Sequence, residues 1–161
     1  MLQIPLKSVT DKLKKEVIHI NNYKKTEYML YNYKQFKVEI KNILLEIEDI
    51  ENSYRGIGAM SYEEKSAPTN KISSSVEQEV EQKEKRIEHL NRLISKKENI
   101  IKRIDNALEV LTERERKLIE LRYFKNLTHF KVAEILEVDV STIYRNKKEI
   151  INKLSSVMFV V

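Results

Sequence analysis

The chain has 161 residues with 34% charged side chains, no cysteine, two glycines and two prolines. This composition excludes a disulfide framework and a thiolate zinc site, is simplest in a reducing cytoplasm, and favours long helices over sheet, so an all-α fold is expected. The net charge of +5 suits a polyanionic partner, and residues 112–161, with 10 basic against 7 acidic side chains, hold three of the five surplus charges.

Residues 1–51 read as N-terminal helices. The opening MLQIPLKSVTDKLKK has no uninterrupted apolar core of the kind an export signal needs, and no segment is apolar for long enough to span a membrane. Nothing in the pattern of residues 1–20 fixes whether they are ordered. A helix is predicted from about Thr26 to Glu51, because Met29, Tyr33, Phe36, Ile40, Ile43, Ile47 and Ile50 step by four and three. Tyr23, Tyr28, Tyr31 and Tyr33 read as half-buried helix residues rather than base-stacking platforms, since Tyr33 belongs to that apolar seam. Residues 52–75 hold both glycines and Pro68 among small and polar side chains and read as a flexible linker.

From Val76 to Leu111 a long coiled-coil-type helix is predicted. Positions 76, 80, 83, 87, 90, 94, 97, 101, 104, 108 and 111 alternate steps of four and three, and only Lys83 and Lys97 among them are polar. β-Branched residues at Val80, Ile87, Ile94 and Ile101, with Leu90 and Leu111 in the other series, favour a two-stranded seam. The two lysines weaken that seam, although their stems can pack while the ammonium reaches water. Leu93, Ile100 and Ala107 widen the apolar stripe. The helices can fold back as a hairpin within one chain or pair between two chains; the wider stripe leads to the expectation of both, a homodimeric helical bundle using the 26–51 and 76–111 helices.

Residues 112–161 read as three helices forming a helix-turn-helix domain. Thr112 followed by Glu115 is a capping-box pattern, and Leu118, Ile119 and Leu121 give the helix it opens an apolar stripe. Thr128 can cap a second helix that places Val132, Ala133 and Leu136 on one face, with the small Ala133 allowing a close helix crossing. After a turn at Glu137 and Val138, the Asp139 side chain is expected to accept the N–H of Ser141 or Thr142 and start a third helix. Ile143, Ile150 and Leu154 would point inward, while Ser141, Arg145, Lys148 and Asn152 would form an outward stripe without a carboxylate.

A helix fits the major groove of duplex DNA with its N-terminal residues near the base edges, and arginine can pair two donors with a guanine. Ser141, Tyr144 and Arg145 are therefore candidate base or near-base contacts, with Tyr144 equally able to lean back on the domain as a half-buried aromatic, and Val140 is available for a thymine methyl. Lys147, Lys148 and Lys153 suit phosphates, because an ammonium on a flexible stem supplies charge with little angular selectivity. Thr128 and Thr142, at helix starts, and Lys131 complete the candidate DNA-contacting set. Taken alone, a Lys/Arg stripe is more often a solvated helix face; three capped helices at helix-turn-helix spacing are what favour DNA.

The stretch LTERERKLIELRYF with VAEILEVDVSTIYR resembles region 4 of bacterial sigma factors. STIYRNKKEIINKL is more similar still to the C-terminal end of phage late-gene regulators of the ArpU and RinA type, in which a tyrosine-rich helix, a loop like SAPTNK and a long charged helix precede the helix-turn-helix. That resemblance covers nearly all the chain after about residue 20, and it implies a phage or prophage regulator of packaging or lysis genes. Glu137 stands where many such motifs place glycine, and Asn146 where relatives often carry a large residue. If the turn needs a positive φ, Glu137 strains or reshapes it.

No glycine-rich phosphate loop, thiol or nucleophile elbow is present, and His19, His89 and His129 have no second ligand at i+3 or i+4. Neither catalysis nor a metal or other cofactor is expected. The leading expectation is a cytoplasmic transcription regulator binding double-stranded DNA. The alternatives are a packaging component similar to a phage small terminase subunit, and a module that docks on bacterial RNA polymerase. The role of the terminal VMFVV is open.

Overall fold

A computed structural model of the chain describes residues 6–58 and 70–159. Among the described residues the fold is all-α: α1 (Leu6–Tyr31), α2 (Tyr33–Gly58), α3 (Asn70–Leu108), α4 (Glu113–Ile119), a π-turn at Glu120–Phe124, α5 (His129–Leu136) and α6 (Val140–Met158). The chain divides into two compact units, one made of Met1–Lys34 with Ile100–Val161 and the other of Gln35–Asn99.

The unit Gln35–Asn99 is built on α2 and the first part of α3. Glu39 pairs with Lys97 at 2.6 Å and Glu46 with Arg86 at 2.6 Å. One number rises as the other falls, so the two helices run antiparallel, as the hairpin arrangement requires. Phe36, Leu90 and Ile94 are buried between them, and Ile40, Ile43, Ile47, Ile50 and Ile87 are half-buried. Lys97 keeps its place in the seam by lying 5.4 Å over the Phe36 ring while its ammonium bonds Glu39. The predicted linker is shorter than 52–75, because α2 continues to Gly58 and α3 begins at Asn70; Pro68 and the rest of that segment lie outside the described residues.

The other unit is the helix-turn-helix domain, and it is larger than residues 112–161. Ile104 and Ala107 at the end of α3, Leu111 just after it, Leu118 and Ile119 of α4, Leu121 of the π-turn, Val132 and Ala133 of α5, and Ile143, Ile150, Ile151 and Leu154 of α6 share one core. Met29 and Leu30 of α1 belong to the same core. Each fully buried Leu or Ile contributes roughly 1.5–3 kcal/mol relative to exposure, so α1 is integral to the domain.

Thr26 does not start a helix. It sits inside α1, fully buried, with its hydroxyl donating to the Asn22 carbonyl at 2.9 Å, which satisfies the hydroxyl within the helix. The break comes at Asn32, whose amide side chain donates to the Tyr28 carbonyl at 2.7 Å. The predicted 26–51 helix is thus two helices, and its seam is divided: Met29 and Tyr33 serve one unit, and the positions from Phe36 onward serve the other. Tyr33 stacks on Phe124 at 4.8 Å and donates to Asp105, and Tyr31 meets Tyr123 edge-on at 4.6 Å.

The capping box forms as the sequence predicts, with the Thr112 N–H donating to Glu115 at 2.7 Å and the Glu115 N–H to the Thr112 hydroxyl at 3.3 Å. After α4 the chain widens into the π-turn, closed by the Lys125 N–H on the Glu120 carbonyl at 2.8 Å; Leu121 and Tyr123 enter the core from this turn. Thr128 caps α5 through the Lys131 N–H. Glu137 takes φ 53° and ψ 47°, the left-handed conformation that glycine adopts most readily. Asp139 begins α6 without a side-chain cap; its carbonyl accepts from Thr142 and Ile143 instead.

Candidate nucleic-acid interface

The α5–turn–α6 element positions the candidate residues. Its turn is fixed by the Glu137 and Val138 N–H groups, which close on carbonyls of α5, and the inner face of α6 is anchored by Ile143, Ile150 and Leu154. Ser141, Arg145 and Lys148 are therefore left exposed on one stripe, with Asn152 half-buried at its end. Neither Arg145 nor Lys148 makes an ion pair with any described residue. Glu149, exposed beside the stripe, is a carboxylate at its edge that the sequence reading left out.

Tyr144 is 52% exposed, and its ring stacks on His129 at 4.2 Å with an interplanar angle of 20°. His129 Nε2 is buried without a hydrogen-bond partner. Burial, then the charges of Arg122 and Lys147, hold the imidazole below its ordinary pKa and so favour the neutral ring. Val140 is half-buried and shares a shallow depression with Phe130, which is 72% exposed. Thr128 and Lys131 are exposed at the start of α5, where Lys131 pairs with Glu134 at 2.9 Å. Thr142 is half-buried beside Asn146 in a cleft of about 330 Å³ between α4 and α6.

Two of the three candidate phosphate lysines are engaged inside the domain. Lys147 bonds Glu27 of α1 at 2.9 Å, with the two side chains only 19% and 23% exposed. Lys153 bonds Glu115 at 3.0 Å. Glu27 also accepts the Tyr123 hydroxyl at 2.7 Å. Burial opposes ionisation of Glu27, but the hydrogen bonds from Lys147 and Tyr123 outweigh it and hold the carboxyl below its ordinary value. Burial and the same carboxylate push the Tyr123 phenol far up. Of the lysines proposed for phosphate, Lys148 remains exposed and unpaired among the described residues.

Residues 107–156 match the family Sigma-70, region 4. The region 4-like segment begins at the end of α3 and ends in the last turn of α6, so it takes in α4, the π-turn, α5 and nearly all of α6. It leaves α1, α2 and most of α3 outside. No curated protein and no solved structure matched the chain.

The docking of α1 on the region 4-like domain was missed by the sequence reading. A signal was present: Thr26, Met29, Leu30 and Tyr33 fall at i, i+3, i+4 and i+7, one helix face. Phe130 was also missed, because an exposed aromatic breaks no periodicity. No three His, Cys, Asp or Glu side chains are grouped to hold a metal ion among the described residues. No helix among them is long and apolar enough to cross a membrane.

Proposed function

We propose that the chain is a sequence-specific, double-stranded-DNA-binding transcription regulator whose α6 enters the major groove, with Ser141, Tyr144 and Arg145 at or near base edges and Lys148 on phosphate. The observation that carries this reading is the exposed, unpaired Arg145–Lys148 face of α6 within a segment matching region 4. Arg145 has the planar fork suited to a guanine, and Lys148 supplies charge. The resemblance to ArpU- and RinA-type proteins extends the proposal to a phage or prophage late-gene activator in the host cytoplasm. It acts by binding, without catalysis.

A homodimer would present two α6 helices to an inverted repeat. The α2 and α3 seam is engaged within one chain, so such a dimer would pair exposed surfaces, and on α2 Val38 and Leu45, seven residues apart on one face, are exposed apolar side chains available to it. The region 4 match favours a second reading, in which the domain docks on RNA polymerase and DNA contact is secondary.

Selection of bound fragments from random duplexes tests the proposal. An enriched motif is expected, and Arg145→Ala should weaken binding to it by about 1–3 kcal/mol while changing random-duplex binding much less. Polymerase retention with no salt-sensitive duplex binding would establish the second reading instead.

A further inference from the structure

Helix α1 lies against the flank of α6, and between them runs a groove of about 560 Å³. Its walls include His19, Ile20 and Lys24 of α1 and Tyr144, Lys148 and Asn152 of α6. Lys24 and Lys148 are both exposed, and neither pairs with a described carboxylate. The groove does contain one carboxylate, Glu27, but it is already bonded to Lys147 and Tyr123. Two uncompensated ammonium groups from two different helices therefore face one channel, and the half-exposed Tyr144 ring forms part of its wall.

The position of this channel matters as much as its charge. Going round α6, Lys148 stands about 60° and Tyr144 about 100° to one side of Arg145. A helix seated in a major groove roughly 12 Å wide has a sugar-phosphate strand on either side. A charged groove on the flank of α6 thus faces the place where one strand passes.

We propose that α1 is a third DNA-contacting element, in which Lys24, together with Lys148, grips the sugar-phosphate backbone beside the bases that α6 reads. This rests on the DNA-binding reading above and adds a contact from a helix outside the region 4 match. The contact would raise affinity and fix the register of α6 without itself reading sequence.

The test uses the full chain, whose lack of cysteine makes any introduced thiol unique. Lys24→Cys and Ser141→Cys variants are each coupled to an iron–EDTA cleavage reagent and bound to a duplex carrying the motif enriched by selection. Ser141→Cys should cut within the motif, and Lys24→Cys should cut the backbone immediately beside it. In parallel, Lys24→Ala should lower the slope of log affinity against log salt by about 0.9 per bound chain, and Lys24→Arg should restore it. Cutting from position 141 without cutting from position 24, with an unchanged salt slope, would overturn the α1 contact and leave the DNA-binding reading standing. Tighter binding by Lys24→Ala would overturn it as well, marking α1 as an obstruction. If the unlabelled chain enriches no duplex and binds none in a salt-sensitive manner, the functional reading fails, and this contact fails with it.

Discussion

Glu27 and Lys147, 120 residues apart in sequence, are joined at 2.9 Å by a partly buried ion pair that fastens α1 to α6. The same Glu27 oxygen accepts the Tyr123 hydroxyl, so one carboxylate ties three elements together. Glu27→Ala is expected to destabilise the fold by about 1–3 kcal/mol, because it leaves both donors without their acceptor. Urea unfolding of Glu27→Ala, Lys147→Ala and the double variant checks this. A coupling energy of about 0.5 kcal/mol or more is expected, and strictly additive losses would contradict the linkage.

Stability should fall in two stages on acidification. His129 has a folded pKa below its ordinary 6.5, so the unfolded chain takes up the proton first and stability starts to drop as pH falls below that value. Glu27 and Glu115 have folded pKa values below their ordinary 4.5. Their contributions are therefore complete above that value and are lost as pH falls towards the depressed folded values. Thermal unfolding from pH 8 to pH 3 should show both stages. His129→Gln should remove the upper one, and Glu27→Gln should reduce the lower.

The lysines of α6 should separate in a salt titration. Lys148→Ala is expected to lower the slope of log affinity against log salt by about 0.9, as loss of one phosphate contact does. Lys147→Ala should change it by well under half as much, since its ammonium is already held by Glu27. Equal slopes for the two variants would mean that Lys147 leaves Glu27 when DNA binds.

Glu137 occupies the left-handed region at the C-terminal end of α5. A non-glycine residue there costs on the order of 1 kcal/mol, and glycine's greater freedom in the unfolded chain offsets most of the gain from replacing it. Glu137→Gly should accordingly be neutral or stabilising by up to about 0.5 kcal/mol. The β-branched Glu137→Val should cost about 1–2 kcal/mol in the same unfolding assay.

The helix-turn-helix was legible because its boundaries are written in local chemistry. Thr112 with Glu115 and Thr128 each satisfy backbone donors within their own first turn, and such caps do not depend on distant partners. Where a residue's role depends on something far away in sequence, local reading failed. Thr26 has the chemistry of a cap, yet its hydroxyl turns back to Asn22 because the packing of α1 buries it. Lys147 and Lys148 share the chemistry of a phosphate contact, but Lys147 stands four residues after Ile143 and three before Ile150, towards the inner face of α6, where Glu27 meets it. The π-turn gave no signal, since Glu120–Phe124 has the composition of an ordinary helix end.

The seating of Met29 and Leu30 in a core otherwise supplied by residues beyond 100 also constrains biosynthesis. At translation rates of about 5–20 residues per second, α1 leaves the ribosome on the order of ten seconds before α6 exists to receive it. For that interval its apolar face has no native cover, and completing the domain awaits closure between α1 and the elements beyond residue 100, a loop whose entropy is lost before those contacts reward it. Chaperone engagement of the nascent α1 is thus the natural counterpart of a domain stitched from segments so far apart in sequence.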